Sequence, residues 1–209
     1  MPVQGLSKAL RRLAGGLVLL AGSAAAEGIP GPTLESVLEI TGFWLQEDYD
    51  RREALLPLVE SEGIGALYLS DRLVHLDAEA LAEGGMFDTL LKIGPHLQMR
   101  GVSIRSMSVI EETPGYVIEV NGIHYEVYSK READRSWELA TETFVRLVSD
   151  LLPSEGRDRF YALNSGNDLS GFFLPPEVLP FFIAGDVQVS DRPYTPTRKG
   201  PDYGMPADG

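Results

Sequence analysis

The sequence predicts an α+β fold: a mainly antiparallel sheet with a long amphipathic helix, about residues 131–152, packed on it. Three observations carry this expectation. Asn121-Gly122 stands between two β-rich runs, Tyr116 to Val120 and Ile123 to Tyr128, and a two-residue hairpin turn selects those residue types because both centres need φ > 0. Ser129 and Glu132 form an S-x-x-E capping box, which satisfies free backbone N–H groups in a first helical turn. Trp137, Ala140, Phe144, Leu147, Val148 and Leu151 then recur at helical spacing until Pro153, whose ring cannot continue a helix.

The remaining elements follow in chain order. Leu34, Val37, Leu38 and Thr41 keep helical spacing, and a second helix is expected within Glu47 to Glu62, limited by Pro57. Ala66 to Leu69 and Leu73 to Leu76 read as short strands separated by Asp71. Phe87, Leu90, Leu91 and Leu97 suggest a helix broken at Gly94-Pro95 and stopped by Gly101. A strand from Val102 to Glu111 changes apolar phase between Ile104 and Met107, so a β-bulge is expected near Arg105 or Ser106. It joins the hairpin through Thr113-Pro114-Gly115.

The two-residue turn sets the hairpin register: Val120 opposite Ile123, Glu119 opposite His124, Ile118 opposite Tyr125 and Tyr116 opposite Val127. One face is then wholly apolar and the other polar apart from Val117. Strands at Phe160 to Leu163 and Phe172 to Leu174 flank the turn residues Ser165-Gly166-Asn167-Asp168, and Pro176 opens a last short helix ending near Gly185.

The chain ends set the domain limits. Lys8, Arg11 and Arg12 precede a ten-residue apolar stretch, Leu13 to Gly22, and Ala24-Ala25-Ala26, the three parts of a cleavable signal peptide over residues 1–26. Residues 27–190 are expected to form a single α+β domain, large enough to stand on its core without disulfides. Residues 191–209, rich in proline and glycine and poor in apolar side chains, read as a disordered tail. Cleavage after Ala26 removes three basic residues and no acid, leaving 15 basic against 31 acidic residues, a charge of −16. Such a field repels nucleic acid and favours basic partners. The absence of cysteine excludes thiol catalysis, disulfide exchange and thiolate metal sites, and no second apolar segment is long enough to span a membrane.

The candidate chemistry is sparse. His75 and Asp77, like His124 and Glu126, lie two residues apart on one face of a strand, so an alternative reading brings the four together on zinc or manganese. The hairpin register offers a simpler account, in which His124 meets Glu119 across the strands. Ser165 lacks the leading glycine of a nucleophile elbow. No catalytic residue is therefore assigned, and no cofactor or metal is expected. Asn164, Ser165, Asn167 and Asp168 form a polar run between two aromatic-rich ones, suited to a turn or to a recognition loop displayed on a rigid sheet. Phe172, Phe173, Phe181 and Phe182 fall within twelve residues. Most of that segment is expected in the core, but Phe172, Phe181 and Phe182 are candidates for an exposed partner patch.

These features lead to an expected function: an exported, acidic, non-catalytic binding protein, of inhibitor or immunity type, for a basic protein partner. The alternatives are an exported metal-dependent hydrolase and an envelope assembly subunit that self-associates through the Phe-rich segment.

Overall fold

A computed structural model of the chain describes residues 31–111 and 115–199. The expected signal peptide, the Thr113-Pro114 turn and the last ten residues lie outside the described residues.

Helix and sheet are mixed, and both sheets are antiparallel, so the α+β expectation holds. The chain opens with α1 (Leu34–Thr41), whose N-cap Thr33 accepts from the Ser36 N–H and which buries the four expected residues. It continues through a 3-10 turn, Phe43–Gln46, into α2 (Tyr49–Glu62). Pro57 lies inside α2 rather than limiting it. Its missing N–H and steric clash cost about 3 kcal/mol, offset by the burial of Leu55 and Val59 on one face of the helix. The next segment, Gly63–Leu69, is a 3-10 helix and not the expected strand. Ala66 and Leu67 are both buried and Leu69 is exposed, so burial does not alternate along the segment as it would in a half-buried strand.

Strand β1 (Leu73–His75) follows, and then α3 (Ala78–Ala80), a wide turn Leu81–Gly85, α4 (Met86–Lys92) and α5 (Gly94–Met99). The break at Gly94-Pro95 and the stop at Gly101, which has φ 76°, agree with the sequence. The first sheet residues after the stop come late: β2 spans Met107–Glu111, not Val102 to Glu111. Residues 103–106 instead wrap around Asn121, whose side-chain oxygen accepts from the N–H of Arg105 (2.7 Å) and Ser106 (3.3 Å) while its amide donates to the Ser103 carbonyl. Those bonds satisfy backbone groups that a ladder would otherwise claim. The irregularity in β2 falls between Val109 and Glu111, so the extra residue is Ile110 and not Arg105 or Ser106. Ile110 turns outward and is exposed.

The hairpin of β3 (Tyr116–Val120) and β4 (Ile123–Tyr128) turns at Asn121 and Gly122, with φ 52° and 82°. Three of the four expected pairs are present, but Tyr116 lies opposite Tyr128 instead of Val127 because the register shifts between Tyr116 and Val117. The apolar face is buried except for Ile123, which is 53% exposed beside the turn. In the capping box the Glu132 carboxylate accepts from both the backbone N–H (3.2 Å) and the hydroxyl (2.8 Å) of Ser129. It opens a 3-10 turn, Lys130–Arg135, and the α-helix proper, α6, is Ser136–Leu151.

Strands β5 (Arg159–Leu163) and β6 (Ser170–Leu174) pair antiparallel, with β1 on the other side of β6. The last helix, α7 (Leu179–Ala184), is preceded by a 3-10 turn at Pro176–Val178 and capped by Gly185. Helix α6 packs against both β4 and β5. Phe144 of α6 meets Phe160 edge-on, and Phe160 meets Phe173 at 4.6 Å. On the opposite face of the β1-β6-β5 sheet, Tyr161, Phe172 and Leu174 pack with Leu38, Phe43 and Phe182. A sheet buried on both faces carries near-continuous apolar strands, whereas β3, open on one face, alternates. Gly171 is required where the layers are tightest: a Cβ there would stand 2.1 Å from the Phe160 ring.

Residues 191–199 are part of the fold rather than of a disordered tail. Tyr194 and Ala162 exchange two backbone hydrogen bonds of 2.8 Å along the outer edge of β5, and the Tyr194 ring is buried. Arg198 reaches Glu132 and Glu142. One buried aromatic with a free sheet edge to pair against is enough to order a segment whose composition alone argues against order.

Candidate functional site

The β5–β6 connection carries the polar run singled out in the sequence. Asn164 takes φ 58° and Gly166 φ 61°, left-handed conformations that Asn and Gly tolerate. A short 3-10 turn, Gly166–Asp168, closes the loop through Asp168 N–H to the Ser165 carbonyl and Leu169 N–H to the Gly166 carbonyl. Leu169 is fully buried, and its carbonyl accepts from the Leu76 N–H at 2.9 Å. From the other side the Tyr194 hydroxyl donates to the Asn164 carbonyl at 3.0 Å. The loop is thus braced by its own turn, by the segment after β1 and by the C-terminal strap.

Around this loop lies an open cleft of about 460 Å³, lined among the described residues by His75, Asn164, Ser165, Asp168 and Ser190. His75 ends β1 opposite Ser170 and is exposed. Ser190 comes from the 3-10 turn Val189–Asp191, held by the Tyr68 hydroxyl donating to the Asp191 carbonyl at 2.5 Å. Burial and the neighbouring Asp191 push the Tyr68 phenol up to about 12, so it stays protonated and able to donate. No side-chain hydrogen bond joins His75, Ser165 and Asp168 to one another among the described residues. A nucleophile–base relay needs such contacts, and the cleft presents separate polar groups instead.

The four residues of the alternative metal reading are not brought together. His75 is in the β1-β6-β5 sheet and His124 and Glu126 are in the β2-β3-β4 sheet. The Asp77 carboxylate accepts from the Ala80 N–H as the N-cap of α3, and His124 Nε2 lies 2.9 Å from Glu119, as the register implies. No group of three or more His, Asp or Glu side chains among the described residues could hold a metal. The metal site is therefore overturned. Of the candidate partner patch, Phe172 (0% exposed) and Phe182 (1%) are core residues and cannot meet a partner, while Phe181 is half-buried.

A second polar cluster is wholly internal. Arg72 donates through Nη1 to both Asp158 oxygens (2.9 and 2.8 Å) and to the Phe173 carbonyl, and through Nε and Nη2 to the Phe43 carbonyl. Arg100 Nε donates to Asp158 at 2.7 Å, and its guanidinium lies 4.0 Å from the centre of the Phe173 ring. Glu47 stands 3.4 Å from Arg72 and accepts from the Asp71 N–H. Burial pushes the Arg100 guanidinium down to about 10, against the opposing pull of Asp158, so it stays charged at neutral pH. His96 stacks on the Phe173 ring at 5.9 Å, and burial with Arg100 nearby lowers its pKa. These groups tie the first 3-10 turn to residues at or beside β1, α5, β5 and β6, and the side chains of Arg72, Arg100, Asp158 and Glu47 are buried.

Sequence reading found the loop but missed Ser190 and Tyr194, which complete and brace it. Tyr194 carried a weak signal, as an aromatic residue in a segment otherwise almost free of apolar side chains. Ser190 carried none. No protein-family model, no curated protein and no solved structure matches the chain.

Proposed function

We propose that the chain is an exported, acidic, non-catalytic binding protein of inhibitor or immunity type, which holds a basic protein partner at the 164–168 loop. The observation that carries this reading is a braced loop with uncommitted side chains. Asn164, Ser165, Asn167 and Asp168 make no side-chain hydrogen bond or ion pair among the described residues, while their backbone is held on three sides. A backbone already held in place loses little further entropy when its polar side chains meet a partner. Export rests on the basic, apolar and A-x-A pattern of residues 1–26. The charge of −16 that cleavage would leave supports attraction of a basic protein.

Capture from envelope extract tests the reading, with wild-type protein and Asp168→Lys compared at 0.01 M and 0.15 M salt. Screening shortens the reach of exposed charges from about 30 Å to about 8 Å over that range. The expected result is a partner retained by wild type at low salt, lost at the higher salt, and lost at both with Asp168→Lys. Retention that is indifferent to both salt and the charge reversal overturns the assignment to this loop, and turnover in a hydrolase screen overturns the non-catalytic reading.

A further inference from the structure

The chemistry of the cleft is selective about what could fill it. Every described lining residue carries a polar side chain, and Asp168 is the one carboxylate among them. No Lys or Arg and no Phe, Tyr or Trp is among the described lining residues. The Asp168 carboxylate disfavours an anionic ligand, and the His75 imidazole is the one ring among the described lining residues. Asp158 is matched by Arg72 and Arg100, and Glu132 and Glu142 by Arg198. Asp168 makes no ion pair and no side-chain hydrogen bond among the described residues. Ser190 donates to Asp191 Oδ1 at 3.0 Å, which ties a second carboxylate to the same wall. Arg192, next in the chain, donates its Nε to the Val187 carbonyl.

We propose that the cleft is a receptor for an arginine side chain of the partner, with the guanidinium donating to the Asp168 carboxylate and to the oxygens of Asn164, Ser165 and Ser190. The planar fork of a guanidinium matches a carboxylate flanked by neutral acceptors. The assignment rests on the reading above, in which this loop meets a basic partner, and it adds the group that is recognised.

Amide chemical shifts of the full chain test it, in titrations with N-acetyl-arginine methylamide, N-acetyl-glutamate methylamide and methyl glucoside. The expected result is saturable shifts at His75, Ser165 and Asp168 with the arginine probe only. Asp168→Asn, an exposed and unpaired position, should keep the rest of the spectrum unchanged and weaken that binding by about tenfold or more. No saturable shift, equal response to the other probes, or undiminished binding by Asp168→Asn would overturn the proposal. The two ideas fail separately. A salt-sensitive, Asp168-dependent protein partner with a silent cleft overturns the arginine receptor and leaves the binding protein standing. Saturable arginine binding without any captured protein does the reverse.

Discussion

Asp158 lies between two guanidinium groups, 2.8 Å from Arg72 Nη1 and 2.7 Å from Arg100 Nε, with all three side chains almost wholly buried. Truncating it takes the ion-pair partner from buried Arg100 and leaves Arg72 with Glu47 alone, so Asp158→Ala should cost about 3–5 kcal/mol in chemical denaturation. A loss below 1 kcal/mol would mean that water replaces the carboxylate. Glu47, in the same cluster, has its pKa raised above the ordinary 4.5 by burial, against the opposing Asp71 N–H and Arg72. The folded chain then keeps this proton at pH values where the unfolded chain has lost it. The contribution of Glu47 is therefore fully present below pH 4.5 and falls as the pH rises through the raised folded value. Denaturation of wild type and Glu47→Gln from pH 4 upward should show the stability difference, wild type minus variant, declining with pH. A difference that rises would show that the Arg72 attraction outweighs burial.

At the scale of elements, α6 and the C-terminal strap are held in opposite ways. Phe144 is fully buried in α6 and packs edge-on against Phe160, so Phe144→Ala should cost about 3–5 kcal/mol. Trp137, on the same stripe, is only partly buried against that core, and its truncation should cost clearly less. Equal losses in thermal or chemical melts would mean that the first turn of α6 carries as much packing as its middle. The strap depends on the Tyr194 bridge, hydroxyl and buried ring and on partly exposed ion pairs. Arg198→Ala removes contacts to Glu132 and Glu142 that are worth under about 1 kcal/mol. Hydrogen exchange at the Ala162 and Tyr194 amides should nevertheless quicken, because those amides bond to each other's carbonyls across the bridge, while the Leu147 amide stays protected. Unchanged exchange at Tyr194 would assign the whole hold to its buried ring.

For the whole molecule, residues 1–26 can be tested without any structure. Ala24 and Ala26 fit the two small pockets of a signal peptidase, so the intact mass of exported protein should correspond to a chain starting at Glu27. A soluble protein that retains Met1 to Ala26 would remove the basis for export. No helix among the described residues is long and apolar enough to cross a membrane.

Local chemistry determined much of the fold. The Asn121-Gly122 turn, the Ser129–Glu132 box, the α6 stripe and the break at Gly94-Pro95 each depend on residues within a few positions of one another, where turn geometry and helical spacing act directly. The 164–168 loop was legible for the same reason, since Asn and Gly at positive φ mark a turn wherever it occurs. Tertiary structure alone decided what contact between distant segments decides. It ordered Tyr194 by giving it the edge of β5, and it buried Phe172 and Phe182 between layers rather than leaving them for a partner. It separated His75 from His124 by placing them in different sheets, and it put His75 beside Asn164, Ser165, Asp168 and Ser190 in one cleft. A strand's side-chain period tells which residues share a face, but not which sheet the strand joins or what covers it.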